Sequence, residues 1–151
     1  MALELPLLKS LFKTSRESNE GVSAKPEEKY WSCTGANFVN TTAVSASIAW
    51  ASGTATAQQD WEPLIPVEGL PDEGDIMNVS LYGTFVGDWY FYRKTISTGA
   101  VILLCQGGAG AGTVALNQYS KINNKKYAYY FVTDAFDVGQ VLYGATIGYS
   151  I

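Results

Sequence analysis

The clearest pattern in the chain is an alternation of apolar and polar residues, which continues from Tyr30 almost to the C-terminus. A period of two residues is typical of strands that bury one face, and no stretch after Tyr30 repeats its apolar residues with helical spacing. Strands without intervening helices predict two packed antiparallel sheets. We therefore predict an all-β domain that is an antiparallel β-sandwich or jelly-roll-like.

Two segments show the alternation in detail. The first predicts a strand face formed by Met77, Val79, Leu81 and Phe85. The second, at the C-terminus, predicts a face with six members: Val141, Tyr143, Ala145, Ile147, Tyr149 and Ile151. Between these segments, the sequence KINNK at residues 121–125 is typical of a hairpin turn.

The segment CQGGAGAGTV, residues 105–114, raises the question of a phosphate-binding loop. Gly107 and Gly112 have the spacing of that motif, but Thr113 occupies the position that requires lysine. The residues after Thr113 alternate as a strand does, so we expect no helix N-terminus to face an anion. We interpret the segment as a glycine-rich connection between two strands.

An N-terminal arm, residues 1–29, precedes the domain, residues 30–151. Its apolar residues would share one face of a short helix that starts near Pro6: Leu7, Leu8, Leu11 and Phe12. The rest of the arm is polar, which indicates an extended linker. A helix this short is not stable alone in water. We therefore expect its apolar face to dock on its own domain, on a neighbouring subunit or other protein, or on a membrane surface.

Composition excludes several kinds of chemistry. The net charge of −4 gives no support to nucleic-acid binding. Histidine is absent, which removes the commonest general base and metal ligand, and there is no GxSxG motif. The acidic residues Glu68, Asp72, Glu73 and Asp75 lack the spacing of a calcium loop and read as a surface turn. We expect no enzyme activity, no catalytic residue, no metal and no cofactor.

The cysteines and the N-terminus bear on where the protein is made. Cys33 and Cys105 are too few for a zinc site, and either one bridge or two buried free thiols fits the sequence. Glu4, Lys9 and Lys13 interrupt the apolar residues of the N-terminus, so we predict no secretion signal. No apolar run approaches the ~18 residues of a membrane span. We expect synthesis in the cytoplasm and no membrane partner, because the apolar face of the arm is short and its basic charge is small.

Aromatic residues are the remaining signal. In the run from Trp89 to Tyr92, Trp89 shares one strand face with Phe91, while Tyr90 and Tyr92 share the other. Aromatic rings stack on sugar rings, anchor protein interfaces and fill cores, and the sequence leaves these three roles open. The candidate ligand or interface residues are Trp89, Tyr90, Tyr92 and Tyr129.

The arm MALELPLLKSLF, its polar linker and a charge-poor β domain rich in Gly, Ala, Thr and Tyr resemble small all-β structural proteins of tailed-phage virions. Such proteins include capsid decoration or cement proteins and tail components. The resemblance implies a homo-oligomer, a trimer or dimer, that is located in the virion and clamps neighbouring shell or tail proteins. Leu7, Leu8, Leu11 and Phe12 would then form the docking face. The alternative is a carbohydrate-binding or receptor-binding β module.

Overall fold

The computed structural model describes residues 27–40, 48–51, 53–57 and 62–151. These residues form an all-β sandwich of two antiparallel sheets, as the alternation predicted. The strands are β1 (Glu28–Thr34), β2 (Val39–Asn40), β3 (Ile48–Ala51), β4 (Thr54–Ala57), β5 (Pro63–Val67), β6 (Asp75–Gly83), β7 (Trp89–Thr95), β8 (Val101–Gly107), β9 (Gly112–Ala115), β10 (Tyr127–Thr133) and β11 (Val141–Ser150). A single 3-10 turn, Gly35–Asn37, interrupts the strands in the described part of the chain.

The strands divide into a six-stranded and a five-stranded sheet. In the six-stranded sheet the order is β3-β4-β11-β6-β9, and β1 pairs with β11 beside β4. In the five-stranded sheet the order is β2-β5-β10-β7-β8. The two longest strands, β11 and β6, pair with each other and form the centre of the first sheet. The adjacent strands β7 and β10 form the centre of the second sheet.

The core lies between the sheets and is aromatic on one side. The five-stranded sheet contributes Trp89, Phe91 and Phe131, which are fully buried, and the rings of Phe91 and Phe131 lie 4.7 Å apart. The six-stranded sheet contributes aliphatic side chains that are also buried, such as Leu81 and Ile147. Removing these side chains from water is the main stabilising contribution to such a fold.

Two of the predicted strand faces contain errors, and both have the same cause. Tyr143 is 50% exposed and Met77 is 52% exposed, although each was expected on a buried face. The pairing of β6 with β11 shifts register between Leu142 and Gly144 and again opposite Met77. An extra residue in a strand reverses the faces of the residues that follow it. Ile151, also predicted on the buried face, lies beyond the end of β11 and is exposed.

The predicted hairpin at residues 121–125 is also wrong, because these residues connect different sheets. They lie between β9 of the six-stranded sheet and β10 of the five-stranded sheet. Ile122 is fully buried, and the carbonyl of Asn123 accepts a hydrogen bond from the Tyr127 N–H at 2.9 Å. The residues do form a turn, as their composition indicated.

The glycine-rich connection is confirmed. Residues 108–111 join β8 to β9 and so carry the chain from one sheet to the other. Gly110 has φ of 90°, a conformation that glycine adopts without a steric penalty. The segment is followed by a strand rather than a helix.

Strand β1 starts at Glu28, so the last residues assigned to the linker already belong to the sheet. The predicted docking residues Leu7, Leu8, Leu11 and Phe12 lie outside the described residues. Within the described ranges, no helix is long and apolar enough to cross a bilayer.

Candidate functional site

Two of the four candidate aromatic residues are not at the surface. Trp89 is completely buried and Tyr129 is 2% exposed. Trp89 faces the core beside Phe131, and the Tyr129 hydroxyl accepts a hydrogen bond from the Asn123 N–H at 3.1 Å. The expectation that Trp89 and Tyr129 form a ligand or interface surface is therefore wrong, because their side chains are part of the core.

Tyr90 and Tyr92 lie on the opposite, open face of the five-stranded sheet. Their ring centroids are 6.0 Å apart and the ring planes differ by 22°. The Tyr130 ring lies beside Tyr92 on the neighbouring strand β10, with its centroid 5.5 Å from that of Tyr92 and an interplanar angle of 27°. We call these three residues, Tyr90, Tyr92 and Tyr130, the tyrosine track.

The strand pattern explains why the track forms. On β7, Trp89, Phe91 and Arg93 point inward, so Tyr90 and Tyr92 point outward. The register of β7 with β10 places Tyr92 opposite Tyr130 on the outer face and Phe91 opposite Phe131 on the inner face. Aromatic pairs at opposed positions stabilise a sheet, so this register forms a stabilising aromatic pair on each face of the sheet.

Sequence reasoning did not select Tyr130, although its partner Tyr92 was selected. The run YAYYF does contain it, and alternation places Tyr130 on the face opposite Tyr129. The contact with Tyr92 depends on the register between β7 and β10, which are distant in the chain. The pattern of residues within one strand does not specify that register.

Polar side chains lie at one end of the track. Asp88 directly precedes β7 and Asp134 directly follows β10. The Asp88 N–H donates to Oδ2 of Asp134 at 3.0 Å, and Nε2 of Gln106 donates to Oδ2 of Asp88 at 3.2 Å. These bonds fix two carboxylates and an amide in position beside Tyr90.

The electrostatics keep two of the track hydroxyls protonated. Partial desolvation raises the pKa of Tyr90 above its ordinary value, and the carboxylates of Asp134 and Asp88 raise it further. Desolvation also raises the pKa of Tyr130, with a smaller effect from Tyr92. A neutral phenol both donates and accepts hydrogen bonds. The track therefore offers aromatic faces, hydroxyl groups and carboxylate acceptors along one open sheet.

Two of the four acidic residues considered for calcium have partners for their side chains in the structure. In the acidic segment, Oδ1 of Asp72 accepts from the Asn124 N–H at 2.7 Å, and Asp75 forms an ion pair with Lys121 at 3.6 Å. Across the described ranges, no three residues of the kinds that ligate metals come together. Cys33 and Cys105 are free thiols, and burial raises their pKa values to about 11 and about 12. These are protonated, unreactive side chains at neutral pH.

Two concave surfaces lie away from the track. One is a groove between β1 and β5, where the indole N–H of Trp31 donates to the carbonyl of Glu68 at 2.9 Å. The other lies on the six-stranded sheet, where Nδ2 of Asn78 donates to Glu28 at 3.2 Å. In each surface, at least one pair of polar groups is thus already hydrogen-bonded.

No known protein family matches the chain, and no curated protein matches it. Solved structures of similar fold include a mutant of a family 29 carbohydrate-binding module, with 9% identity and a TM-score of 0.47 over 81% of this chain and 92% of that one. Another is the C-terminal family 6 carbohydrate-binding module of LamC, a marine laminarinase from Zobellia galactanivorans, with 11% identity and a TM-score of 0.44 over 79% and 98%. At these scores and identities, the likeness supports no conclusion about function.

Proposed function

We propose that this protein is a non-catalytic carbohydrate-binding module that binds a glycan along the tyrosine track. The observation that supports it is the cluster of three adjacent tyrosine rings, with interplanar angles of 22° and 27°, on the outer face of a sheet. Tyr90 and Tyr92 belong to a sheet whose inner face already fills the core, so packing does not account for them. A cluster of adjacent aromatic rings suits a ligand built from several sugar rings.

The polar groups beside the track suit the same ligand. A sugar ring presents C–H groups to an aromatic face and hydroxyl groups around its edge. The carboxylates of Asp88 and Asp134 accept hydrogen bonds from hydroxyls, and the Gln106 amide both donates and accepts. The open sheet face binds an extended chain more readily than it encloses a small molecule, since it has no walls on which a small ligand would be buried.

The test is isothermal titration of the full-length protein with a panel of soluble polysaccharides, followed by Tyr92→Ala on the best ligand. Tyr92 is the central ring, so its loss should weaken binding by about fivefold or more, from a stacking contribution of about 1 kcal/mol. Tyr143→Ala is the matched control, because Tyr143 is an exposed tyrosine outside the track. A panel without any ligand, or equal losses in both variants, would contradict the proposal.

A second candidate function is a structural interaction protein of a virion that oligomerises and contacts shell or tail proteins. The observation that favours it is a group of exposed apolar side chains on the outer face of the six-stranded sheet: Tyr30 at 62%, Met77 at 52% and Tyr82 at 44% exposed. Exposed aromatic and methionine side chains are enriched at protein interfaces.

The test of this second function is the mass of the full-length protein in solution, measured by light scattering. A dimer or trimer that becomes a monomer in the double variant Tyr30→Ser, Tyr82→Ser would support it. A protein that is monomeric throughout, or an oligomer unaffected by the two substitutions, argues against this face as the interface.

A further inference from the structure

The basic residues of the domain gather at one end of the five-stranded sheet. Arg93 and Lys94 lie near the end of β7, where they pair with Tyr129 and Ala128 of β10. Residues 62–151 contain five lysines and arginines, which lie either on β7 or in the segment between β9 and β10: Arg93, Lys94, Lys121, Lys125 and Lys126. Asp88 and Asp134 flank the opposite ends of the same two strands.

Arg93 differs from the other basic residues because it is buried. It is only 8% exposed and points inward from β7, yet it has no carboxylate within ion-pair distance in the described part of the chain. Its Nε atom is buried and has no hydrogen-bond partner there. A buried charge without an ion-pair partner is costly, so a guanidinium at this depth with no carboxylate beside it among the described residues requires an explanation.

Two tyrosine rings hold this guanidinium in place. Its central carbon lies 4.2 Å from the ring centroid of Tyr119 and 4.1 Å from that of Tyr127. Rings over a guanidinium stabilise its charge through cation–π contacts but accept none of its N–H groups in the guanidinium plane. These ring contacts therefore do not occupy the N–H donors at the guanidinium edge.

Tyr119 is positioned by its backbone. Its φ of 58° is in the left-handed region, which non-glycine residues seldom occupy, and its side chain is 49% exposed. The loop around it is anchored on both sides, because Asn117 N–H donates to the Leu104 carbonyl at 2.9 Å and Ile76 N–H donates to the Ser120 carbonyl at 2.9 Å. The Tyr119 ring thus forms the solvent side of the Arg93 environment.

We propose that Arg93, between Tyr119 and Tyr127, binds one oxyanion, either a carboxylate or a sulfate group. The two terminal nitrogens of the guanidinium match two oxygens of such a group, and the oxyanion supplies the ion-pair partner that the described residues do not provide. Lys126, whose Nζ lies 5.3 Å from the Tyr127 ring centroid, and the neighbouring Lys125 raise the local concentration of anions around the site. Because Arg93 and Tyr92 point to opposite faces of β7, this site is separate from the tyrosine track and does not depend on its function.

The experiment observes the arginine Nε–H signals of the 15N-labelled full-length protein by NMR. The chain has two arginines, Arg16 and Arg93, so the spectrum contains an internal control. Sodium sulfate and sodium glucuronate are titrated in turn, with sodium chloride at equal ionic strength and neutral glucose as references. We expect a saturable shift of the Arg93 signal with an oxyanion and no such shift of the Arg16 signal.

Sulfate is a free inorganic oxyanion, whereas glucuronate carries its carboxylate on a sugar, so the two titrations distinguish these two sources of the oxyanion. Binding of both supports a general oxyanion site, and binding of glucuronate alone supports a site for an acidic sugar. Tyr119→Gly should weaken the binding by about fivefold or more through loss of one ring. This variant keeps the fold, since glycine adopts a φ of 58° without strain.

Three results would overturn the proposal. The first is the absence of a saturable Arg93 shift with either anion, and the second is an equal shift with chloride. The third is loss of anion binding in Tyr92→Ala, which would place the anion on the tyrosine track instead. Unchanged anion binding in Tyr92→Ala supports a separate site at Arg93, whatever the glycan measurements give.

Discussion

Gly107 determines how the largest side chain of the core is packed. It pairs with Trp89 across β7 and β8, and a Cβ atom at this glycine would lie 2.0 Å from Nε1 of the indole. The indole nitrogen is buried without a hydrogen-bond partner among the described residues. Close packing against the backbone of β8, rather than a polar contact, therefore fixes the Trp89 ring. The tyrosine track depends on this packing, because Tyr90 is the next residue of the same strand.

Gly107→Ala should lower the free energy of unfolding by about 1–3 kcal/mol, because the added methyl group overlaps the Trp89 ring. Urea denaturation followed by tryptophan fluorescence measures the change. Gly108→Ala is the matched control, since a Cβ atom there meets nothing within 4 Å and should change stability by less than about 0.5 kcal/mol. Equal effects of the two substitutions would show that the indole does not rest on Gly107.

At the scale of elements, the edge strand β1 connects the two sheets. It pairs with β11 along its whole length, from Glu28 opposite Ser150 to Thr34 opposite Gly144. The indole N–H of Trp31 also donates to the carbonyl of Glu68, which follows β5 in the other sheet, at 2.9 Å. This bond therefore joins the two sheets at the edge formed by β1.

Trp31→Phe should remove this bond while keeping an aromatic ring, with a loss of about 1 kcal/mol in the free energy of unfolding. Hydrogen exchange should show faster exchange of the β1 amides than of the β7 amides, since the edge is loosened before the core. Tyr30→Phe is the control, because Tyr30 is the neighbouring exposed aromatic residue on the outer face. If β1 exchange is unchanged in Trp31→Phe, the bond to Glu68 does not hold the edge.

The elements also show which features the sequence can predict. Alternation separated Trp89 from Tyr90 and Tyr92 correctly, because the side-chain period of a strand is local. It did not identify the buried face, since both faces of β7 are aromatic. The exposed positions of Met77 and Tyr143 result from register shifts against a partner strand. Such shifts depend on contacts between distant segments, which a single strand's pattern does not contain.

At the scale of the whole molecule, the candidate sites occupy different surfaces with different charges. The tyrosine track begins beside Asp88 and Asp134 on the open face of the five-stranded sheet. Arg93 faces inward near the other end of the same strands, where the basic residues gather. Neither arrangement has a sequence motif, because each combines residues from separate strands and loops. The composition left sugar stacking, interface anchoring and core packing open for the aromatic residues, and the pairing of β7 with β10 brings Tyr92 and Tyr130 together on the outer face.

The proposed glycan site includes no residue of the chain before Glu27. Deletion of residues 1–26 should therefore leave the affinity for the glycan within about twofold of the full-length value, as expected for independent regions. Titration of both proteins with the same polysaccharide measures this, and thermal unfolding checks that the shorter chain folds. The matched control is the full-length variant with serine at the four predicted docking residues, Leu7, Leu8, Leu11 and Phe12. A tenfold or greater loss in the deleted protein alone, at unchanged stability, would assign the arm to the glycan site (about 1.4 kcal/mol). An equal loss in the deleted protein and in the serine variant would assign that role to the apolar face of the arm.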